Sequence, residues 1–256
     1  MKNKLNFFYI LFLIFLSFNC FSQGNYYEIG FGAGPVSFRG DWGEREEAKT
    51  NFGNTGFGFS LLHFINFAYG RNTYNYFNKH FKVRSHLSFY QSNLNHYGKW
   101  VEDEGAPFLL DNMSGKTSVV EVGSGLEWYW TNIRSYERQN NVFNPYAGFG
   151  FNLVYFNPTV ETSLPGEIGS PTNTWPTFLP DLSGNEPITN SSEITAGINF
   201  HAGTRYRLNK SADLFIEGRW HYYFSDFVDG LKPNNPNNSS NDWVFALTIG
   251  YIYYLD

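Results

Sequence analysis

Eight separate stretches of this 256-residue chain alternate bulky apolar residues with polar residues or glycine at a period of two, and that repeat excludes most folds. It is clearest in Asp213–Phe224, D-L-F-I-E-G-R-W-H-Y-Y-F. Leu214, Ile216, Trp220, Tyr222 and Phe224 fall on one face, with Gly218 among them. Asp213, Glu217, Arg219, His221 and Tyr223 fall on the other, with Phe215 as the exception. Successive side chains of a β-strand point to opposite faces, so the pattern specifies strands with unlike faces. In water the aromatic face would be core. In lipid the two faces exchange roles.

The other seven stretches read the same way. The first sets Tyr27, Ile29, Phe31 and Ala33 against Glu28 and glycines, and the second is Gly56–Tyr69, with His63 out of pattern on its apolar side. The third is His80–Asn93, carrying Lys82, Arg84 and His86 on its polar face; the fourth places Glu121 and Glu127 opposite Val120, Val122, Leu126, Trp128 and Trp130. The fifth has Phe149, Phe151, Leu153 and Tyr155 on its apolar face, the sixth His201, Arg205 and Arg207 on its polar face, and the eighth is Trp243–Leu255. Connections after the odd-numbered strands are long: Pro35–Thr55, Asn95–Lys116, Asn157–Ser191 and Ser225–Asn241. Those after the even-numbered strands are shorter: Arg71–Lys79, Asn132–Asn141 and Asn209–Ser211. Pro145 opens the fifth strand and every other proline is expected in a loop, because proline cannot donate to a ladder. Strand length, loop asymmetry and even count together predict an all-β, eight-stranded antiparallel up-and-down transmembrane β-barrel with both termini in the periplasm. A secreted β-sandwich also buries one apolar face, but it does not usually gather so many charges opposite that face in register.

Composition agrees with lipid and interfacial surroundings: aromatics are 20 % of the chain and charged residues 16 %. Residues 1–22 have the form of a signal peptide, with Lys2 and Lys4 before the apolar run Leu5–Phe18 and small residues at Cys20 and Ser22. The expected mature domain is 23–256, exported to the cell outer membrane. Cleavage removes the one cysteine and shifts the formal net charge from −5 toward more negative values, which argues against a nucleic-acid partner.

An eight-stranded barrel is only wide enough for side chains to fill it. The inward face is expected to hold Glu28, Glu121, Glu127, Asp213 and Glu217 against Lys82, Arg84, Arg205, Arg207 and Arg219, with His86, His201 and His221 beside them. Buried charges must be paired and hydrogen-bonded to stay ionised, so these groups read as an interior ion-pair plug, or alternatively as a narrow path for ions or solutes. The histidines lie on different strands with no ligand-type spacing, and neither a metal nor a cofactor is expected. Ser85 and His86 are adjacent but point to opposite faces, and His63 faces lipid without an evident partner, so a barrel enzyme acting on lipids is the least supported reading. The outer loops offer Asp41, Trp42, Trp100, Trp175, Asp226 and Asp229 as candidates for an envelope partner or small ligand. Their acidic runs invite calcium but lack the spacing of a calcium loop.

The segments A-G-P-V-S-F-R-G-D-W-G-E-R (Ala33–Arg45), N-T-G-F-G (Asn54–Gly58), H-F-K-V-R (His80–Arg84), H-Y-G-K-W-V (His96–Val101), R-W-H-Y-Y-F-S-D-F-V-D-G-L (Arg219–Leu231) and N-D-W-V-F…G-Y-I-Y-Y-L, from Asn241, resemble an uncharacterised family of outer-membrane β-barrel proteins of Bacteroidota. The resemblance runs from the first strand to the last and implies fold and location; it carries over no activity and no catalytic residue. The expected function is structural or interactive, with a channel or carrier as the alternative.

Overall fold

The computed structural model describes residues 26–70, 75–98, 101, 108–181, 184–234 and 240–255. The expected signal segment and Trp100 lie outside them. Eight strands follow one another around a closed barrel: β1 (Tyr26–Arg39), β2 (Thr55–Asn66), β3 (Phe81–Asn95), β4 (Met113–Tyr129), β5 (Phe143–Thr162), β6 (Glu193–Asn209), β7 (Ala212–Tyr223) and β8 (Trp243–Leu255). Every neighbour is antiparallel. The ring closes through β1 and β8, whose register runs from Tyr27 opposite Leu255 to Arg39 opposite Trp243. Closure leaves no strand edge unpaired, which a barrel in lipid requires.

Short helices decorate the connections. Helices α1 (Ala48–Gly53) and α3 (Phe108–Asp111) belong to the long-loop end; α2 (Tyr76–His80) and α4 (Ile133–Glu137) belong to the short-connection end. Asn132 caps α4 by accepting from the Ser135 N–H at 3.3 Å, and Ile133 and Tyr136 are buried there. That anchorage brings Glu137, at the helix end, beneath the barrel.

Three strands are longer than the alternation implies. β1 runs through Pro35 to Arg39, β4 starts at Met113, and β5 continues through Pro158 to Thr162. The expectation that Pro35 and Pro158 lie in loops is therefore incorrect. Both occupy interruptions in pairing. Around Pro35 the ladder to β8 lapses between Ala33–Ile249 and Val36–Ala246, and Pro158 lies past the final β5–β6 pair, Phe156–Glu193.

The two faces part as the alternation requires. Glu28, Glu121, Glu127, Arg205 and Asp213 are 0 % exposed inside, whereas Phe151 is 64 % and Ile249 61 % exposed outside. Phe215, the exception in β7, points inward and packs with Leu62, Phe64 and Ile252. It fits because Gly32 and Gly250 face it: a Cβ on either would stand 2.7 and 2.4 Å from the ring. Trp128, Trp130, Phe143 and Tyr206 crowd the short-connection rim, with Trp128–Trp130 at 5.8 Å and Phe143–Tyr206 at 4.8 Å between ring centroids. Tyr222 and Trp243 meet at 5.7 Å toward the other rim. At about 3.3 Å per residue and a tilt of about 40°, Trp243 to Tyr253 rises about 25 Å, the height of an outer apolar band in a membrane barrel. An apolar outside around a charged inside is the arrangement of a barrel that meets lipid.

Substituting Ile249→Arg, midway along β8, is expected to lower the unfolding free energy measured from lipid bilayers by about 2–4 kcal/mol. An unchanged value would mean that this face does not contact lipid.

Candidate functional site

The lower half of the interior is one ion-pair network. Glu28 binds the Lys82 ammonium and accepts from Arg205 Nη1 at 2.6 Å. Lys82 also reaches Glu137 at 3.2 Å. Arg84 bridges Glu127 at 2.7 Å and Glu217 at 2.5 Å, and Arg205 extends to Glu127 at 3.4 Å. Arg219 lies against Glu217 on its own strand at 2.8 Å, and Arg207 pairs with Asp213 at 3.1 Å. Phenols complete the shells: Tyr129 donates to Glu127 at 2.5 Å, Tyr146 to Glu217 at 2.9 Å and Tyr254 to Asp213 at 2.6 Å. The Arg205 guanidinium also lies 4.3 Å from the Phe64 ring centroid. Such pairing is what keeps charges ionised in a low-dielectric interior, although among the described residues Nε of Arg84, Arg205 and Arg207 and Nη1 of Arg219 find no hydrogen-bond acceptor.

Two features depart from the sequence reading. Glu137 joins the network from α4; it escaped notice because a five-residue helix in a short connection carries no alternation. Among the described residues, Glu121 meets no arginine or lysine. It stands 3.0 Å from His221 Nδ1 and accepts from Tyr223 at 2.7 Å and Asn152 at 3.3 Å. His221 Nε2 is 3.2 Å from the Tyr90 hydroxyl. His201 lies 3.3 Å from Glu127 and 3.1 Å from Asn199. His86 is buried beside the space left by Gly123, where a Cβ would meet its ring at 2.5 Å.

Above this polar section the interior turns apolar. Val36, Phe38, Tyr90, Leu94, Val119, Val154, Phe156, Tyr223, Val244 and Ala246 from the strand tops pack with Trp42, Phe178, Val228 and Leu231 from the loops. The outer end is thus closed by a folded cap. The sequence offered Trp42 and Trp175 as docking tryptophans. Trp42 is instead only 1 % exposed and belongs to the cap core, and Trp175 packs against that core half-buried. Polar loop composition concealed this, because the cap takes its apolar residues singly from distant segments.

Loop four, the β7–β8 connection, turns inward to build the cap, as loop one, the β1–β2 connection, does with Trp42. Gly230 adopts φ 90°, its N–H donates to Phe227 O at 3.1 Å, and Val228 O accepts from Thr117 at 2.6 Å. This delivers Asp229 to the end of β1. Asp229 Oδ2 accepts from the Asp41 N–H at 2.6 Å, Oδ1 accepts from Leu231 N–H at 2.9 Å, and its carbonyl accepts from the Trp42 indole at 3.1 Å. Asp242 Oδ2 in turn accepts from the Asp229 N–H at 3.0 Å. Burial pushes the Asp229 carboxyl up to about 7, against the backbone bonds from Leu231 and Asp41. Burial, then the Asp229 and Asp41 carboxylates, push Asp242 well above the usual range. Asp226 is half-buried and also raised, chiefly by burial. Asp242 was not singled out in the sequence. The signal was available in ring closure: Arg39 pairs with Trp243, so the residues just past them must meet.

Among the described residues, two groups of carboxylate and imidazole ligands converge within 4.8 Å: Glu127, His201 and Glu217 inside the barrel, and Asp41, Asp229 and Asp242 in the cap. Their charge balance is opposite. Arg84, Arg205 and Arg219 neutralise the first. Around the second, the Arg45 guanidinium lies 3.7 Å from Asp41.

On the lipid face His63 stands directly opposite Ser85, a partner the alternation alone did not supply. Ser85 is 3.4 Å from the Ser124 hydroxyl, which donates to Arg84 O at 3.1 Å, while the His63 ring stacks on Tyr27 at 5.7 Å. This row contains no carboxylate to orient the imidazole.

Comparison with protein-family models gave no match, and comparison with curated proteins gave none. Among solved structures the chain is similar to a major outer membrane protein from Thermus thermophilus, at 12 % identity over 91 % of this chain and 100 % of that one, with a TM-score of 0.47. It is also similar to Ail, the attachment invasion locus protein of Yersinia pestis, at 11 % identity over 91 % and 100 % with a TM-score of 0.44. Neisserial surface protein A has 13 % identity over 90 % and 99 % with a TM-score of 0.43. Such likeness concerns architecture alone, and the fold assignment rests on the closed register itself.

Arg205→Leu is expected to cost about 3–5 kcal/mol in denaturant unfolding, because Glu28 and Glu127 both lose a buried partner. Arg219→Leu should cost less, since Glu217 retains Arg84 and Tyr146; equal costs would contradict the network's hierarchy.

His96 provides a second test. Its ring lies 4.8 Å from that of Trp42 and 5.9 Å from that of Phe178, and burial depresses its imidazole to about 3. The folded value lies below the unfolded one, so its contribution is fully present above about pH 6.5 and is lost as pH falls toward 3. At pH 5 the closed cap should have lost about 2 kcal/mol relative to an opened one. The carboxyls of Asp229 and Asp242 titrate in the opposite sense, so His96→Phe isolates the imidazole. Protease resistance of the loops should fall between pH 7 and 5 in the parent chain and fall less in the variant; identical profiles would refute this role.

Proposed function

We propose that this chain is an outer-membrane protein of structural or interaction type, without enzymatic activity, that presents its long-loop end to the cell exterior. The observation carrying this reading is the double closure of the interior. Ion pairs fill its lower half, and the apolar cap around Trp42 fills its upper end. A conducting path would have to cross both. What remains accessible is the rim, where the exposed acids Glu46, Glu161, Glu167 and Glu186 outnumber the exposed Lys49, Lys116 and Lys232. A partner docking there would meet a negative surface held on a stiff support. That is a means of recognition by charge, and it favours basic groups on the partner. The signal-like residues at 1–22 and the apolar outer belt support the outer-membrane location. The opposite faces taken by Ser85 and His86 support the non-enzymatic assignment.

The purified chain reconstituted in a planar bilayer is expected to remain electrically silent under moderate applied voltage. Stable, reproducible unitary currents would overturn the closed-barrel reading in favour of a channel.

A further inference from the structure

We infer that Asp41, Asp229 and Asp242 form a binding site for a hard divalent cation, calcium in particular, which clamps loop one to loop four across the cap. All three are buried, at 7 %, 0 % and 1 % exposure, and their carboxylate oxygens lie within 4.8 Å of one another. Like charges so close and so dry cannot all persist as anions without a compensating positive charge.

Two further observations point to a ligand rather than to a chance meeting of acids. Asp242 is held by one oxygen, Oδ2, on the Asp229 N–H; its other oxygen, Oδ1, is buried without a hydrogen-bond partner among the described residues. That atom is aimed at a specific place. A Cβ built on Gly40 would stand 2.7 Å from Asp242 Oδ1 and 1.9 Å from Asp229 Oδ2. Both carboxylates therefore press against the bare Cα of Gly40, which brings an oxygen of each to one spot; any side chain there would push them apart.

The interior group Glu127, His201 and Glu217 serves as an internal contrast. It has comparable crowding, but three guanidiniums already supply its countercharge. In the cap, Arg45 is offset at 3.7 Å and partly exposed. An all-oxygen donor set fits calcium, which takes several carboxylate oxygens at flexible geometry, and disfavours softer metals that prefer nitrogen or sulfur. The ligands come from the end of β1 and from both ends of loop four. For that reason no calcium-type run appears in the sequence. Binding would tie together the segments that seat Trp42 in the cap, so the cation's effect should be felt as cap rigidity.

Terbium luminescence tests this directly, because Trp42 is adjacent to Asp41 and its indole touches Asp229. The full chain, folded in detergent micelles and stripped with a chelator, should give saturable terbium emission excited through tryptophan, close to one equivalent, and displaced by calcium. Absence of saturable emission, or emission that calcium does not displace, would overturn the proposal. Asp242→Asn keeps the shape and backbone bond while removing the charge. It should raise the half-saturating terbium concentration at least tenfold, whereas Glu193→Gln, at an exposed acid outside the cap, should leave it unchanged. Equal half-saturation in the Asp242→Asn chain and the parent would also overturn the proposal. Should Asp242→Asn fail to give the heat-modifiable barrel on gels, Asp41→Asn is held to the same tenfold criterion. If neither variant folds, the parent decides through protease resistance of the loops, which calcium must increase over chelator for the proposal to stand.

Discussion

The structure depends on neutralising charge inside a space that water cannot freely fill. Eight strands close a ring whose bore is occupied by side chains. With the apolar face turned to lipid, the charged face has nowhere else to go. Arg205 and Arg84 resolve this by each serving two acids, so Glu28, Glu127 and Glu217 are linked into one chain of contacts across five strands and out of sequence order. Phenolic hydroxyls from Tyr129, Tyr146 and Tyr254 then occupy acceptor positions that would otherwise be left bare. Each pair holds two strands at a defined register. The network therefore acts as a set of crossbars as well as a plug.

Three chemical zones follow along the barrel axis. The lowest carries the ion pairs around the small apolar cluster of Leu62, Phe64, Phe215 and Ile252, and draws Glu137 up from α4. The middle is polar without permanent cations, where Glu121 is held by His221, Tyr223 and Asn152. The uppermost is apolar and continuous with the loop cap. Beyond it sits the acidic triad, buried, with the Arg45 guanidinium at its edge, 3.7 Å from Asp41. The interior thus runs from closely paired charge deep in the barrel to a buried cluster of like charges near the surface.

The faces of the strands were legible in the sequence because a period of two is a local property. Phe215 shows the limit of that argument. Its parity correctly placed it inside, but its tolerance there depends on Gly32 and Gly250 arriving from β1 and β8. Strand ends were less legible. Pro35 and Pro158 signal loops locally, yet ring closure gives each a place where a ladder is already interrupted. The interior charges could be listed by face, but their pairing could not, since Arg84 meets Glu217 only when β3 and β7 face each other across the bore. Trp42, Glu137 and Asp242 were misplaced or overlooked for a shared reason. Each stands in irregular chain, where position follows from tertiary contacts rather than from any repeat.

A double-mutant cycle between Arg84 and Glu217 tests the central claim that charges meeting across the bore hold the barrel together. Arg84→Met and Glu217→Gln, singly and combined, would be compared by reversible denaturant unfolding in detergent or lipid. A coupling free energy of about 2 kcal/mol or more is expected, consistent with a buried pair in direct contact. Effects that add within about 0.5 kcal/mol would contradict the claim and leave the two residues as independent fillers of the bore.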